Sequence, residues 1–137
     1  MIADPLNLSR FNAPFHALLR AAAGLSFVSH GTMKLLGFPA APPGMPPMPV
    51  SPLSFMGIAG IIELVCGLLV FFGLFTRVAA FLAAGEMAVA FWMVHAPQGI
   101  IPATNMGEAA YLYTFIFLWL AAAGAGPFSL DNRGGAK

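Results

Sequence analysis

Two carboxylates stand in the middle of apolar sequence. The stretch Ser54–His95 reads SFMGIAGIIELVCGLLVFFGLFTRVAAFLAAGEMAVAFWMVH, and Glu63 and Glu86 each lie near the centre of a segment long enough to cross a bilayer. Arg77 alone separates the two segments. A charge at mid-bilayer costs about 2.5 kcal/mol or more on insertion scales, so such residues face a bundle interior or a wet cavity. The rest of the chain must then supply their partners.

Composition points the same way. Of 137 residues, 59% are hydrophobic and 8% charged, against about 25% charged in a soluble globular chain. The expectation is a single-domain integral membrane protein, with the lipid bilayer as its first partner. A net charge of +1 without a basic stripe gives no footing for nucleic acid. The one cysteine, Cys66, excludes an intramolecular disulfide and reads as a small packing residue. The opening MIADPLNLSRFNAP carries Asp4, Pro5 and Pro14, and its basic residue comes late. It is read as a retained surface segment (1–13), not a cleavable signal.

Four helices are predicted. The first runs over about 14–36, with Pro14 suited to a first helical turn. Its polar residues His16, Arg20, His30 and Lys34 fall within an arc of about 80° and spread over roughly 27 Å. Lys34 and His16 suit snorkelling near the ends. His30 and Arg20 fit that account less well, and His30 is a candidate for lining a cavity. The segment 37–53 holds seven of the twelve prolines and reads as a stiff, extended loop. Its Met45 and Met48 suit a hydrophobic lid better than a metal site.

The second helix is expected over 54–75. Gly60, Glu63 and Gly67 share one face, and glycines admit a neighbouring backbone, so this face should pack inward and take Glu63 with it. A basic partner on the first helix is expected, His30 first and Arg20 second. The third helix covers 77–95, with Thr76 as a possible cap, Glu86 central, and His95 and Trp92 at an interfacial end. The fourth covers 107–125, opened by Asn105-x-x-Glu108 as a capping box. Glu108, Tyr111, Phe115 and Trp119 share one of its faces, which suits either core packing or a flat aromatic ligand. The tail 127–137 is expected to fray. Arg10, Arg77, Arg133 and Lys137 lie at one end, whereas the loops 38–53 and 96–106 contain no Lys or Arg. Both termini are therefore expected inside, in the cytoplasm, and the proline loop outside. The predicted fold class is an all-α, four-helix integral membrane bundle.

These residues resemble the DoxX family of small four-helix membrane proteins over about residues 14–131. The resemblance rests on Arg20-x-x-x-Gly24, His30-Gly31 and Lys34-Leu35. It continues through Gly60-x-x-Glu63-x-x-x-Gly67, Gly73-Leu74-x-Thr76-Arg77-x-Ala79-Ala80, Asn105-x-Gly107-Glu108 and Gly126-Pro127-Phe128-Ser129-Leu130-Asp131. The tail is contracted to Gly-Pro-Phe-Ser, where relatives often carry an extra glycine and basic residue. The resemblance implies a redox-associated membrane subunit, linked in relatives to quinone-coupled sulfur oxidation and to thiol or oxidative stress.

Three functions compete. A quinone-linked subunit of the inner (cytoplasmic) membrane would use His30, Glu63, Glu86 and Glu108 as catalytic proton carriers. Arg20, Lys34, Trp92, His95, Tyr111, Phe115 and Trp119 would bind the ligand in an outward-opening pocket. No electron-carrier motif is present, so electrons would come from the substrate or from a redox partner protein. A non-enzymatic anchor for a soluble oxidoreductase would use the same charges as structural ion pairs. A small-molecule or proton-coupled transporter would require a homo-oligomer of so short a chain. No metal is expected, and two lone histidines argue weakly for haem.

Overall fold

The computed structural model describes residues 4–133, and among them the regular structure is entirely helical. Four α-helices follow in order: α1 (Asn12–Leu36), α2 (Phe55–Phe72), α3 (Thr76–Ala90) and α4 (Glu108–Ala123). A 3-10 turn, Leu8–Phe11, precedes α1. Beyond α3 the chain continues through one π-helical turn, Phe91–His95, and a 3-10 turn, Ala96–Gln98. Lys137, with the rest of 134–137, lies outside the described residues.

The helix ends follow local chemistry. Gly37 closes α1 at φ 70°, its N–H bonded to the Met33 carbonyl. Ser54 caps α2 by accepting the Gly57 N–H at 3.0 Å. The second helix stops at Phe72, short of the expected Phe75, because Gly73 turns left-handed (φ 68°) and ends it. Thr76 is the first residue of α3, not its cap. The expected capping box at α4 is absent: Gly107 precedes the helix without a side-chain cap. Asn105 turns back instead, accepting the Gly107 N–H at 2.7 Å and donating to the Gly99 carbonyl at 2.6 Å.

Packing divides the helices into pairs. α1 lies along α2 and α3 along α4, with α2 and α3 joining the two pairs. The α1–α2 contact is made of glycines spaced by seven residues on each helix. A Cβ on Gly24 would stand 2.8 Å from the Gly67 carbonyl oxygen, and one on Gly31 would stand 2.8 Å from that of Gly60. The backbones touch, as small-residue seams allow. α3 buries Ala79, Ala80, Ala83 and Ala84. α1 meets α4 mostly through aromatic side chains. Phe27 packs on Phe117 at 4.7 Å, Tyr113 stacks on Phe117 at 5.6 Å, and the Tyr113 hydroxyl donates to Ser26 Oγ.

The outer surface is apolar. Leu18, Leu25, Val65, Phe81, Leu82 and Phe115 are exposed around the helices while Arg20 and Glu63 are buried. That is the inverse of a water-soluble fold. α2 and the continuous run Thr76–Gln98 are long and apolar enough to span a membrane. α4 is shorter, at 16 residues.

The tail does not fray between Gly124 and Arg133. The guanidinium of Arg20 donates to the Ala125 carbonyl, to Pro127 at 3.2 Å and to Phe128 at 2.8 Å. Leu130 N–H reaches the Phe72 carbonyl at 3.1 Å, and Asp131 N–H that of Gly73 at 2.8 Å. Arg77 donates to the Ala121 carbonyl at 3.0 Å and to that of Ala122, so a cation closes the C-terminus of α4.

Candidate functional site: a buried charge cluster across three helices

The glycine seam creates the site. Gly60 has no side chain, so the Lys34 stem lies over α2 there, its Cβ 3.0 Å from where a Gly60 Cβ would be. The ammonium then reaches Glu63, three residues further along α2, and donates to Oε1. Glu63 is only 2% exposed and the Lys34 side chain 14%. The partner is therefore Lys34, not His30 or Arg20 as the helical stripe suggested. Lys34 does not snorkel out of the bundle, because the α1–α2 register brings a carboxylate to it. Arg20 is taken by the tail carbonyls. The inward orientation of Glu63 is as expected.

Glu86 approaches from α3, within electrostatic reach of both Glu63 and Lys34. The Cys66 thiol, one turn along α2 from Glu63, is buried and within reach of Glu86. His30, one turn below Lys34 on α1, is half-buried and feels the Lys34 charge. Two carboxylate oxygens of the cluster, Glu63 Oε2 and Glu86 Oε2, are buried without a hydrogen-bond partner. The arrangement can hold protons at depth. Among the described residues no group of three or more His, Cys, Asp or Glu side chains is placed to hold a metal ion.

The other sequence candidates lie elsewhere. His95 Nδ1 donates to the Asn105 carbonyl at 3.2 Å and packs beneath Gly107, which makes it a loop fastener. Glu108 is exposed at the start of α4. Trp92 (63% exposed) and Tyr111 pack against the buried Phe91, and Phe115 packs on Tyr111. Trp119 packs edge-on against His16, whose Nε2 lies 3.0 Å from the Gly124 carbonyl. His30, Lys34, Glu63 and Glu86 gather around the ion pair, whereas Trp92, His95, Glu108, Tyr111, Phe115 and Trp119 make the separate contacts just described.

Two cavities open on the α1–α4 side. One, of about 440 Å³, runs between Ala22, Ala23, Ser26, Ala109, Leu112 and Tyr113. The other, of about 380 Å³, lies beside Asn12, His16 and Trp119. Of the two tyrosines of α4, Tyr113 is the one that bonds α1. Sequence missed it because α4 is apolar all round, so periodicity does not choose its inner face.

A sequence model of the DoxX family matches residues 15–96, which span α1 to the π turn and contain His30, Lys34, Glu63, Cys66 and Glu86. The chain belongs to the DoxX family. DoxX proteins are small membrane proteins, which agrees with the apolar exterior. The chain is also 40% identical over 130 residues to an uncharacterized protein of Haemophilus influenzae, covering 93% of this chain and 96% of that protein. No solved structure matches.

Proposed function

We propose that this DoxX protein is a multi-pass subunit of a redox system in the inner membrane, binding a quinone or similar small redox molecule within its bundle. The observation that carries the reading is the convergence of Lys34, Glu63 and Glu86 from three helices at a depth where charge is expensive. Reduction of a quinone consumes two electrons and two protons, and titratable groups beside an apolar slot suit the proton side of that reaction. The slot that fits a flat, weakly polar ring is the α1–α4 groove, whose polar groups are the hydroxyls of Ser26 and Tyr113. His30 stands one helical turn from Ser26, between groove and cluster. Electrons would come from a partner protein or directly from a reduced substrate.

The test is extraction of the purified protein for bound quinone, followed by titration with a short-chain quinone. Wild type should bind it, and Tyr113→Phe and Ser26→Ala should weaken binding at normal protein level. Unchanged binding in both variants would remove the groove from the proposal. A second reading, a membrane anchor for a soluble oxidoreductase, is favoured by the Lys34–Glu63 ion pair. Such a pair serves helix register as readily as chemistry. Absence of any quinone binding, with a soluble oxidoreductase retained at the membrane only while this chain is present, would favour the anchor.

A further inference from the structure

We propose that Glu86 holds one exchangeable proton per chain, taken up because no Lys or Arg among the described residues is left to neutralise it. The argument is a count of charges inside the bundle. Lys34 is committed to Glu63 Oε1. Arg20 is committed to carbonyls of the tail, and Arg77 to carbonyls at the end of α4. Arg10 and Arg133 are exposed near the chain ends. Among the described residues, no Lys or Arg remains for Glu86.

The groups facing Glu86 make the deficit specific. α2 presents Glu63 and Cys66, and α1 presents Lys34 with His30 behind it. On α4, Glu108 is exposed at the first turn, Tyr111 packs against Phe91 and Phe115, and Tyr113 bonds Ser26 on α1. Two carboxylates and one ammonium leave one negative charge. His30 sits beside Lys34, where a second positive charge is opposed by repulsion. Glu86 Oε2 is buried without a donor, and a bare carboxylate oxygen there is far costlier than a neutral acid. A metal ion is a poor substitute, since hard cations take six or more oxygen ligands. The unpartnered oxygens here are Glu63 Oε2 and Glu86 Oε2.

Proton binding balances without a co-reactant: the Glu86 carboxylate and one proton give the neutral acid, and release reverses it. The Glu86 side chain is only half-buried, so its carboxyl is not sealed inside the bundle. The proposal rests on the reading of the chain as a membrane bundle with a proton-handling cluster, but needs no quinone.

The experiment is infrared difference spectroscopy of the full chain in detergent, acid minus alkaline, read in the carbonyl region of protonated carboxyls. Wild type should show one carboxylic acid band from an apolar site, lost on alkalisation and missing in Glu86→Gln. Lys34→Met should add a second band, because Glu63 then loses its counter-ion. Should Glu86→Gln fail to fold, dicyclohexylcarbodiimide labelling of wild type replaces it. The adduct, mapped by peptide mass, should fall on Glu86 and decline as pH rises. Glu86 ionised throughout, a band or adduct belonging to Glu63, or a band displaced by sodium at constant pH would each overturn the proposal. A quinone-free protein that keeps the Glu86 signal retains this inference and removes the redox reading; a quinone-binding protein with Glu86 ionised does the reverse.

Discussion

Asp131 accepts the backbone N–H of Thr76 at 3.0 Å and so caps α3 from the far end of the chain. Its other oxygen accepts the N–H of Phe75 at 2.8 Å. The negative charge lies at the N-terminus of a helix, where it is favourable. Arg20 anchors the same segment from α1, so the tail joins three helices at the end of the bundle where α1 begins and α4 finishes.

This clasp should be acid-sensitive. Burial pushes the Asp131 carboxyl up, but the N–H groups of Thr76 and Phe75, with the charge of Arg20, outweigh it and hold the carboxyl below its ordinary value of 3.8. A depressed carboxyl contributes stability that is complete above its ordinary value and is lost as pH falls through the folded value. Thermal unfolding of the detergent-solubilised protein should therefore show a loss of stability below about pH 4 that Asp131→Asn removes. At neutral pH Asp131→Ala should cost about 1 kcal/mol, the usual worth of a cap. An unchanged acid profile in Asp131→Asn would refute the clasp.

The glycine seam yields a contrasting pair. Gly24→Ala places a Cβ 2.6 Å from Phe71 N and 2.8 Å from the Gly67 oxygen, both backbone atoms that cannot rotate away. α1 and α2 must separate, at about 1–3 kcal/mol. Gly85 meets nothing within 4 Å, so Gly85→Ala should stabilise α3 by about 0.5–1 kcal/mol through helix propensity. Melting both variants beside wild type reads the two signs, and equal effects would contradict the seam.

What the sequence disclosed follows the same division between local and tertiary causes. The four helices were legible because long apolar runs are cut by Gly37 with Pro39, by Gly73, and by Ala96-Pro97. Glu63 was legible as inward-facing because Gly60 and Gly67 flank it on one face. Its partner was not, since that depends on how Gly24 and Gly31 register against them, and a one-turn shift exchanges His30 for Lys34. Tyr113 and the role of Asp131 were equally hidden: one lies on a helix without a polar side, the other acts through residues more than fifty positions away.

Breaking the Lys34–Glu63 pair one side at a time should be severe, and breaking both mild. Lys34→Met takes the cation from Glu63, which can then stay buried only by binding a proton, and Glu63→Gln leaves Lys34 only Glu86, with which it makes no ion pair. Each should cost about 3–5 kcal/mol. The double variant buries no charge at this position and should recover most of the loss. Folded yield and unfolding midpoint of the three variants measure the coupling. Additive losses would mean that the two side chains do not depend on each other.

The orientation of the bundle follows from where its cations stand. Arg10, Arg77 and Arg133 lie at the end where α1 begins and α4 finishes, while 38–53 and 96–106 contain no Lys or Arg. Short loops rich in Lys and Arg stay in the cytoplasm, so the proline loop should face outward on the proposed topology. Met45 is exposed within that loop, and the native Cys66 is buried, so a thiol introduced at 45 reports alone. Met45→Cys in intact cells should react with an impermeant maleimide, and wild type should not. A cysteine replacing Asn132, which is exposed beside Asp131, should react only after permeabilisation. The reverse pattern would invert the bundle.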